Sequence, residues 1–146
     1  MLLSDKKAQI LCGDALKVLQ DMPESYFDAI ITDPPYASGG KTLSERQQST
    51  STKYTSTKRR CAMPDFEGDS LDQRSWTRLM ADILRMARAS SKPGAVLCAF
   101  TDWRQLPALS DALQWAGWCW RGIIVWDKGN SRPQKGRFRQ QTEYIV

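Results

Sequence analysis

The chain contains no histidine, so a Ser-His-Asp arrangement is excluded and imidazole metal ligation with it. Its four cysteines, Cys12, Cys61, Cys98 and Cys119, are widely spaced and form no C-x-x-C pair, which argues against a zinc site. No run approaches the roughly 20 apolar residues that a membrane span needs. The opening Met1-Leu2-Leu3-Ser4-Asp5-Lys6-Lys7 also lacks a secretory apolar core. The expected compartment is the cytoplasm, with reduced thiols and no membrane partner. Acidic residues are scarce where basic ones gather: Lys41, Arg46, Lys53, Lys58, Arg59 and Arg60 face Glu45 alone, enough to hold the whole net charge of +5. That stretch is rich in Ser, Thr and Gln and poor in apolar residues, so it is expected to form a flexible basic loop over about residues 38–70. The 146 residues fit one domain, 1–146, large enough to bury a core.

The most informative residues are Asp33-Pro34-Pro35-Tyr36, at the end of the β-rich run Phe27-Asp28-Ala29-Ile30-Ile31-Thr32. An exocyclic amine on adenine or cytosine is a poor nucleophile because its lone pair is conjugated into the ring. Two acceptors on its two N–H bonds favour a pyramidal nitrogen that can attack. A carboxylate, Asp33, and a main-chain carbonyl, that of Pro34, are acceptors at adjacent positions. Pro35 fixes its own φ and holds Pro34 extended, which aims the carbonyl. Tyr36 offers a flat face for a base drawn out of a duplex. The plainer alternative is a turn that merely stops a strand. Against it, the position is the carboxyl end of a strand, where open α/β sheets bind ligands.

Along the chain, Ala8–Leu11 reads as a short strand, followed by a helix capped by Asp14 and running through about Gln20, with Leu16 and Leu19 inward. From Asp72 to about Ala89, Trp76, Leu79, Met80, Ile83, Met86 and Ala87 recur at helical spacing, leaving Arg74, Arg78, Arg85 and Arg88 solvated. Lys92-Pro93-Gly94 reads as a turn into the buried strand Ala95–Phe100, so strand, helix and strand imply a parallel α/β sheet. Asp102 should cap a helix that buries Leu106, Leu109 and Leu113 and stops at Gly117, while Trp103 is a candidate pocket wall. Trp118–Trp126 reads as a strand, with Thr142–Val146 as its antiparallel partner. Trp76, Trp115, Trp118 and Trp126 are expected in the core. Lys128, Arg132, Lys135, Arg137 and Arg139 form a second basic cluster, interrupted by Gly129, Pro133 and Gly136. Both clusters read as phosphate-facing loops, the alternative being solvated surface.

The ordered set Ile10-Leu11-Cys12-Gly13-Asp14, Phe27 to Tyr36, Lys92-Pro93-Gly94, Arg121-Gly122-Ile123-Ile124-Val125-Trp126-Asp127-Lys128 and Glu143-Tyr144-Ile145-Val146 resembles the amino-methylating DNA methyltransferases. The likeness is to the circularly permuted group whose catalytic half comes first, especially its bacteriophage and prophage members. It covers most of the chain outside about residues 40–70. The resemblance implies a Rossmann-like class I methyltransferase sheet with flanking helices and a C-terminal antiparallel hairpin. It implies S-adenosylmethionine as methyl donor, with Asp14 accepting from the donor's adenine amine and Asp33 also at the donor, and double-stranded DNA as partner. The Asp at position 33 points to adenine-N6 more than cytosine-N4 transfer, because the resembling cytosine enzymes more often carry Ser there.

The family's glycine-rich loop for the methionine end of the donor has no counterpart in the sequence, Gly39-Gly40 lacking the flanking strand and helix. The family sheet should therefore lack its central cofactor-loop strands. The N-terminal strand must then pair directly with the Asp33 strand, detach, or join a second copy or a missing C-terminal half. These residues should bind the donor weakly and methylate slowly or not at all. Two other readings stand beside the first: a DNA-binding remnant without catalysis, and methylation of a glutamine amide in a protein, which usually carries Asn at position 33.

Overall fold

In a computed structural model of the chain, the described residues are 8–37, 71–131, 135–136 and 138–146. They form a mixed α/β unit in the order α1 (Ala15–Gln20), β1 (Phe27–Thr32), α2 (Gln73–Ala89), β2 (Ser91–Thr101), α3 (Leu106–Trp115), β3 (Ile124–Asp127) and β4 (Thr142–Ile145). The four strands lie in one sheet in the order β1-β2-β4-β3. β1 and β2 are parallel, with Ile31 opposite Cys98 and Thr32 opposite Ala99. β4 runs antiparallel to both β2 and β3, so the expected C-terminal hairpin is present with β4 inserted between them.

The helices start where short polar side chains replace missing main-chain acceptors. Asp14 accepts from Lys17 N at 3.0 Å, and Asp72 Oδ1 accepts from Arg74 N and Ser75 N at 2.9 and 3.1 Å. Ser75 Oγ also donates to Asp72 Oδ2, and these bonds hold the Asp72 carboxyl below its usual range. The turn into α3 is held by Asp102 Oδ1, which accepts from Arg104 N and Gln105 N at 2.9 and 3.0 Å. α3 ends in a left-handed glycine, Gly117 at φ +87°, with Gly117 N donating to Gln114 O and Trp118 N to Leu113 O. This is a Schellman cap.

α2 and α3 pack on each other and on one face of the sheet, with α1 against α2. Trp76, Met80, Leu84, Leu109, Ala112 and Leu113 close around Ala99 of β2. The stripe on α2 is rotated slightly from the expected one. Leu84 is fully buried whereas Leu79, Ile83 and Met86 are only half-buried. The opposite face is uncovered among the described residues. In-register neighbours share a face, so Ile31, Val96, Phe100, Ile124 and Trp126 fall together there, with Ile31 75% and Val96 58% exposed. Phe100 and Trp126 meet edge to face at 5.8 Å.

Four expectations are corrected. Ala8–Leu11 is not a strand: Ile10 and Leu11 are exposed, and no strand among the described residues stands beside them to supply a ladder. The segment does not pair directly with β1. Lys92-Pro93-Gly94 is not a turn before a strand but lies inside β2, where Phe27 and Ala29 of β1 face Ser91 and Val96. The extra residues form a bulge, where a proline without N–H and a glycine at φ +84° are tolerated. Residues 118–123 are not strand, because β4 reaches only far enough to pair with Ile124–Asp127. Trp115 and Trp126 are exposed at 66% and 46%, not core. Trp76 is the buried one, and Trp118 packs at the core edge with its Nε1 donating to Leu84 O at 2.9 Å.

Between the first half of β2 and residues 117–124 lies a cleft of about 980 Å³, lined by apolar groups such as Val96, Leu97, Trp118 and Ile123. It continues the line of β4 beyond Val146, whose N and O exchange bonds with Ala99 O and N at 2.9 and 3.0 Å.

Candidate active site

β1 delivers Asp33 to the carboxyl rim of the sheet, and the loop that follows is fixed from beneath. Pro34 is buried, Pro35 and Tyr36 are half-buried, and the Asp33 carboxylate faces solvent. The indole Nε1 of Trp76, one turn into α2 and itself fully buried, donates to Pro35 O at 2.5 Å. Ala37, 4% exposed, takes φ +50°, a left-handed conformation unusual for a residue with a Cβ. A clamp on the Pro35 carbonyl and a buried, constrained residue after Tyr36 hold the second half of the four-residue loop.

Tyr36 Oη donates to Asp33 Oδ1 at 2.8 Å and lies 3.5 Å from Glu143 Oε2 of β4. Glu143 Oε1 is in turn held by Lys128 Nζ at 2.8 Å. The end of β3 is tied to β4 by Lys128 N to Gln141 O at 3.0 Å. Asp127 Oδ1 accepts from Gly129 N and Gln141 Nε2, both at 2.8 Å, which holds its carboxyl below the usual range. Glu143 stood in the sequence as part of a strand motif with no role, and Trp76 only as core. The structure brings both to the loop. Only the long-range pairing of β4 beside β2 places a residue 107 positions away against Tyr36.

Burial pushes the Tyr36 phenol well above the ordinary tyrosine range, helped by its bond to Asp33 and by the negative charges of Asp33, Glu143 and Asp102. The folded chain therefore keeps this proton at pH values where the unfolded chain has lost it. The resulting stabilisation is complete below about pH 10 and is lost as pH rises beyond it. Urea titrations at pH 9 and pH 11 should show a fall in stability for the wild type that Tyr36→Phe makes shallower. Equal falls in both proteins would remove this assignment.

Of the remaining candidate residues, Lys128 is paired with Glu143, and Lys135 and Arg139 are exposed. Lys41, Arg46, Lys53, Lys58, Arg59, Arg60, Arg132 and Arg137 lie outside the described residues, as does the expected basic loop. Trp103 is 51% exposed beside the guanidinium of Arg104, 5.4 Å from its ring centre. Among the described residues no group of His, Cys, Asp and Glu side chains could hold a metal ion, and no helix is long and apolar enough to cross a membrane.

A partly parallel α/β sheet with the Asp-Pro-Pro-Tyr loop at the carboxyl end of β1 is the class of fold whose ligands bind at the carboxyl ends of its strands. The family model for the N6/N4 DNA methylases matches residues 27–146, and the chain belongs to that family of DNA methyltransferases. The family covers both adenine and cytosine amino-methylation. No curated protein matches the chain.

Members of the family generally use S-adenosylmethionine. Among the described residues the fit to that donor is partial. Asp14 is exposed at the N-terminus of α1 with one oxygen committed to Lys17 N, and no glycine-rich turn between a strand and a helix accompanies it.

Proposed function

We propose that the chain is the catalytic part of a DNA adenine-N6 methyltransferase. The observation that carries the reading is the Asp33–Tyr36 loop, set at the carboxyl end of β1 and clamped through Pro35 O by the buried indole of Trp76. In this reading the target adenine leaves the duplex and its ring stacks on Tyr36. Its amine donates one N–H to Asp33 and the other to the Pro34 carbonyl. Those two bonds localise the nitrogen lone pair and stabilise the positive charge that grows on nitrogen as the N–C bond forms. The rigid loop contributes by holding both acceptors before the base arrives. Asp33 is also the exit for the proton that the methylated nitrogen must lose. S-Adenosylmethionine supplies an electrophilic methyl group on a sulfonium that departs as a neutral thioether, so no acid is required of the protein.

Adenine is favoured over cytosine by the carboxylate at position 33. Lys135, Arg139, Lys128 and the basic residues outside the described segments are assigned to DNA phosphates. The test is the identity of the product nucleoside after incubation of DNA with labelled donor and complete digestion. N6-methyldeoxyadenosine is expected. N4-methyldeoxycytidine would move the assignment to cytosine, and label on a protein glutamine would overturn it.

A second reading, a DNA-binding remnant, is favoured by the partial donor site around Asp14. One side of that site implies weak donor affinity. Calorimetry with S-adenosylmethionine should detect no saturable binding tighter than about 1 mM, the affinity of only a few contacts. A micromolar dissociation constant would show that the chain holds a complete donor site.

A further inference from the structure

The cleft between the first half of β2 and residues 117–124 is the width of a strand. β4 separates β2 from β3 where all three are present, and its ladder with β2 reaches the Ala99–Val146 pair, in which each N–H meets the other's carbonyl at 2.9 and 3.0 Å. Beyond that pair both walls continue, residues 91–98 on one side and 117–123 on the other. The register extends into the gap. Phe100 and Ile124 both face Ile145, one on each side. The next position past Val146 on this line therefore falls between Cys98 and Gly122, and the one after it between Leu97 and Arg121. Because Ala99 turns its N–H and C=O toward β4, Leu97, two residues away, turns its own into the cleft.

The walls indicate what would fill it. Residues 118–123 include Trp118, Trp120 and Ile123, which favour strand, yet they form none among the described residues. A segment lying in the cleft supplies the ladder they lack. Leu97 and Trp118 pack against the core beside Val146, so alternate residues of such a segment meet an apolar floor. At ordinary strand spacings an extended residue takes about 160 Å³, so about six residues suit the cleft, whose volume is about 980 Å³. Arg88 and Arg121 line it, as does Lys92, which Asp28 holds at 2.7 Å, and no Asp or Glu does among the described residues. An acidic segment fits that charge. A second copy of the chain is a poor source: its unpaired strand-like segments, Ala8–Leu11 and residues 118–123, carry no acidic residue, and the latter is itself a wall.

We propose that the cleft is a strand-acceptor site for a separate, acidic polypeptide segment of about six residues, which lies extended and antiparallel to β2 in line with β4. Main-chain bonds to Leu97 and to residues 119–122 hold it, and those wall residues become strand. No covalent bond changes, and the site is independent of the chemistry at Asp33.

The probe is the peptide acetyl-Thr-Val-Thr-Val-Glu-Glu-amide, titrated into the full chain and followed by NMR of backbone amides. It should bind with a dissociation constant below about 100 μM and slow hydrogen exchange at Leu97 and at residues 119–122. Methylating the main-chain nitrogen of its second residue, which donates to Leu97 O, should weaken binding by about tenfold. Replacing both glutamates by lysine should weaken it by at least about threefold, the scale of exposed ion pairs. The register is read on a C12S/C61S/C119S chain. A peptide with an activated mixed-disulfide cysteine as its first residue should capture Cys98, since facing residues of a non-hydrogen-bonded pair stand about 4.5 Å apart. With the cysteine second, on the opposite face, capture should be at least about tenfold slower. If that triple variant does not fold, the exchange measurements on the wild type decide.

No binding up to about 1 mM peptide, or equal binding of the N-methylated peptide, would overturn the proposal. Protection of residues 119–122 that arises from raising the protein concentration alone would overturn it in favour of a second copy.

Discussion

Asp33→Ala is expected to lower methyl transfer into DNA by about 10²-fold to 10³-fold, the cost of removing one pre-placed acceptor from a charge-developing transition state. DNA affinity should stay within about twofold, because phosphate contacts carry most of it. The Asp33 carboxylate is exposed at the rim rather than buried in the core, so truncation leaves no cavity and no orphaned partner except the Tyr36 hydroxyl, which has Glu143 nearby. A large kinetic effect with little structural effect is therefore the signature of an acceptor used in the reaction. Asp33→Asn, which keeps one acceptor oxygen but adds a competing donor, should fall between the two. Rates with labelled donor and filter binding with the same DNA separate the terms. A DNA-binding remnant would lose nothing measurable in either assay.

Trp76 should show the opposite pattern, a large structural effect that reaches the site secondarily. Its side chain is 0% exposed among Met80, Leu84 and Leu109, so Trp76→Ala is expected to cost about 3–5 kcal/mol of stability. That is a large share of the roughly 5–15 kcal/mol that holds a domain folded. Trp76→Phe keeps most of the packing and removes the N–H that meets Pro35 O. It should cost about 1–3 kcal/mol, the penalty of a carbonyl left unpaired in a partly buried place. Because that carbonyl follows directly on Pro34, Trp76→Phe should also loosen the loop and reduce transfer at temperatures where the fold is intact. Urea unfolding gives the first quantity and the initial rate at 20 °C below the unfolding midpoint gives the second. A Trp76→Phe protein with full activity would show that the clamp is not needed to aim the acceptors.

The contrast between what the sequence disclosed and what it did not has a physical basis. Periodicity located α2 and α3, because a helix packed on a sheet must repeat its apolar face. Asp14 and Asp72 were legible as caps because the bonds they make are local, whereas Asp102, expected as a cap, closes the turn before α3, whose N-cap is Gln105 without a side-chain bond. The place of the Asp33–Tyr36 loop at the carboxyl end of β1 was legible because adjacent prolines stop a strand locally. Strand extent was not, since a strand exists only beside a partner. Ala8–Leu11 and residues 118–123 have strand-like composition, yet neither has a neighbour to pair with in this sheet. Trp115 and Trp126 failed as core residues for a related reason. Trp126 lies on the sheet face that no described element covers, and Trp115 is exposed at the end of α3. The approach of Glu143 to Tyr36 could not be read from sequence, because it depends on β4 crossing to lie next to β2.

The position of the transferred methyl group decides whether Asp33 serves an exocyclic amine. DNA incubated with a deuterium-labelled methyl donor and either wild type or Asp33→Ala should be digested to nucleosides and resolved by mass spectrometry. The account predicts label on the exocyclic nitrogen of deoxyadenosine with the wild type and its loss with Asp33→Ala. Label on a ring carbon, or the same yield from both proteins, would contradict it.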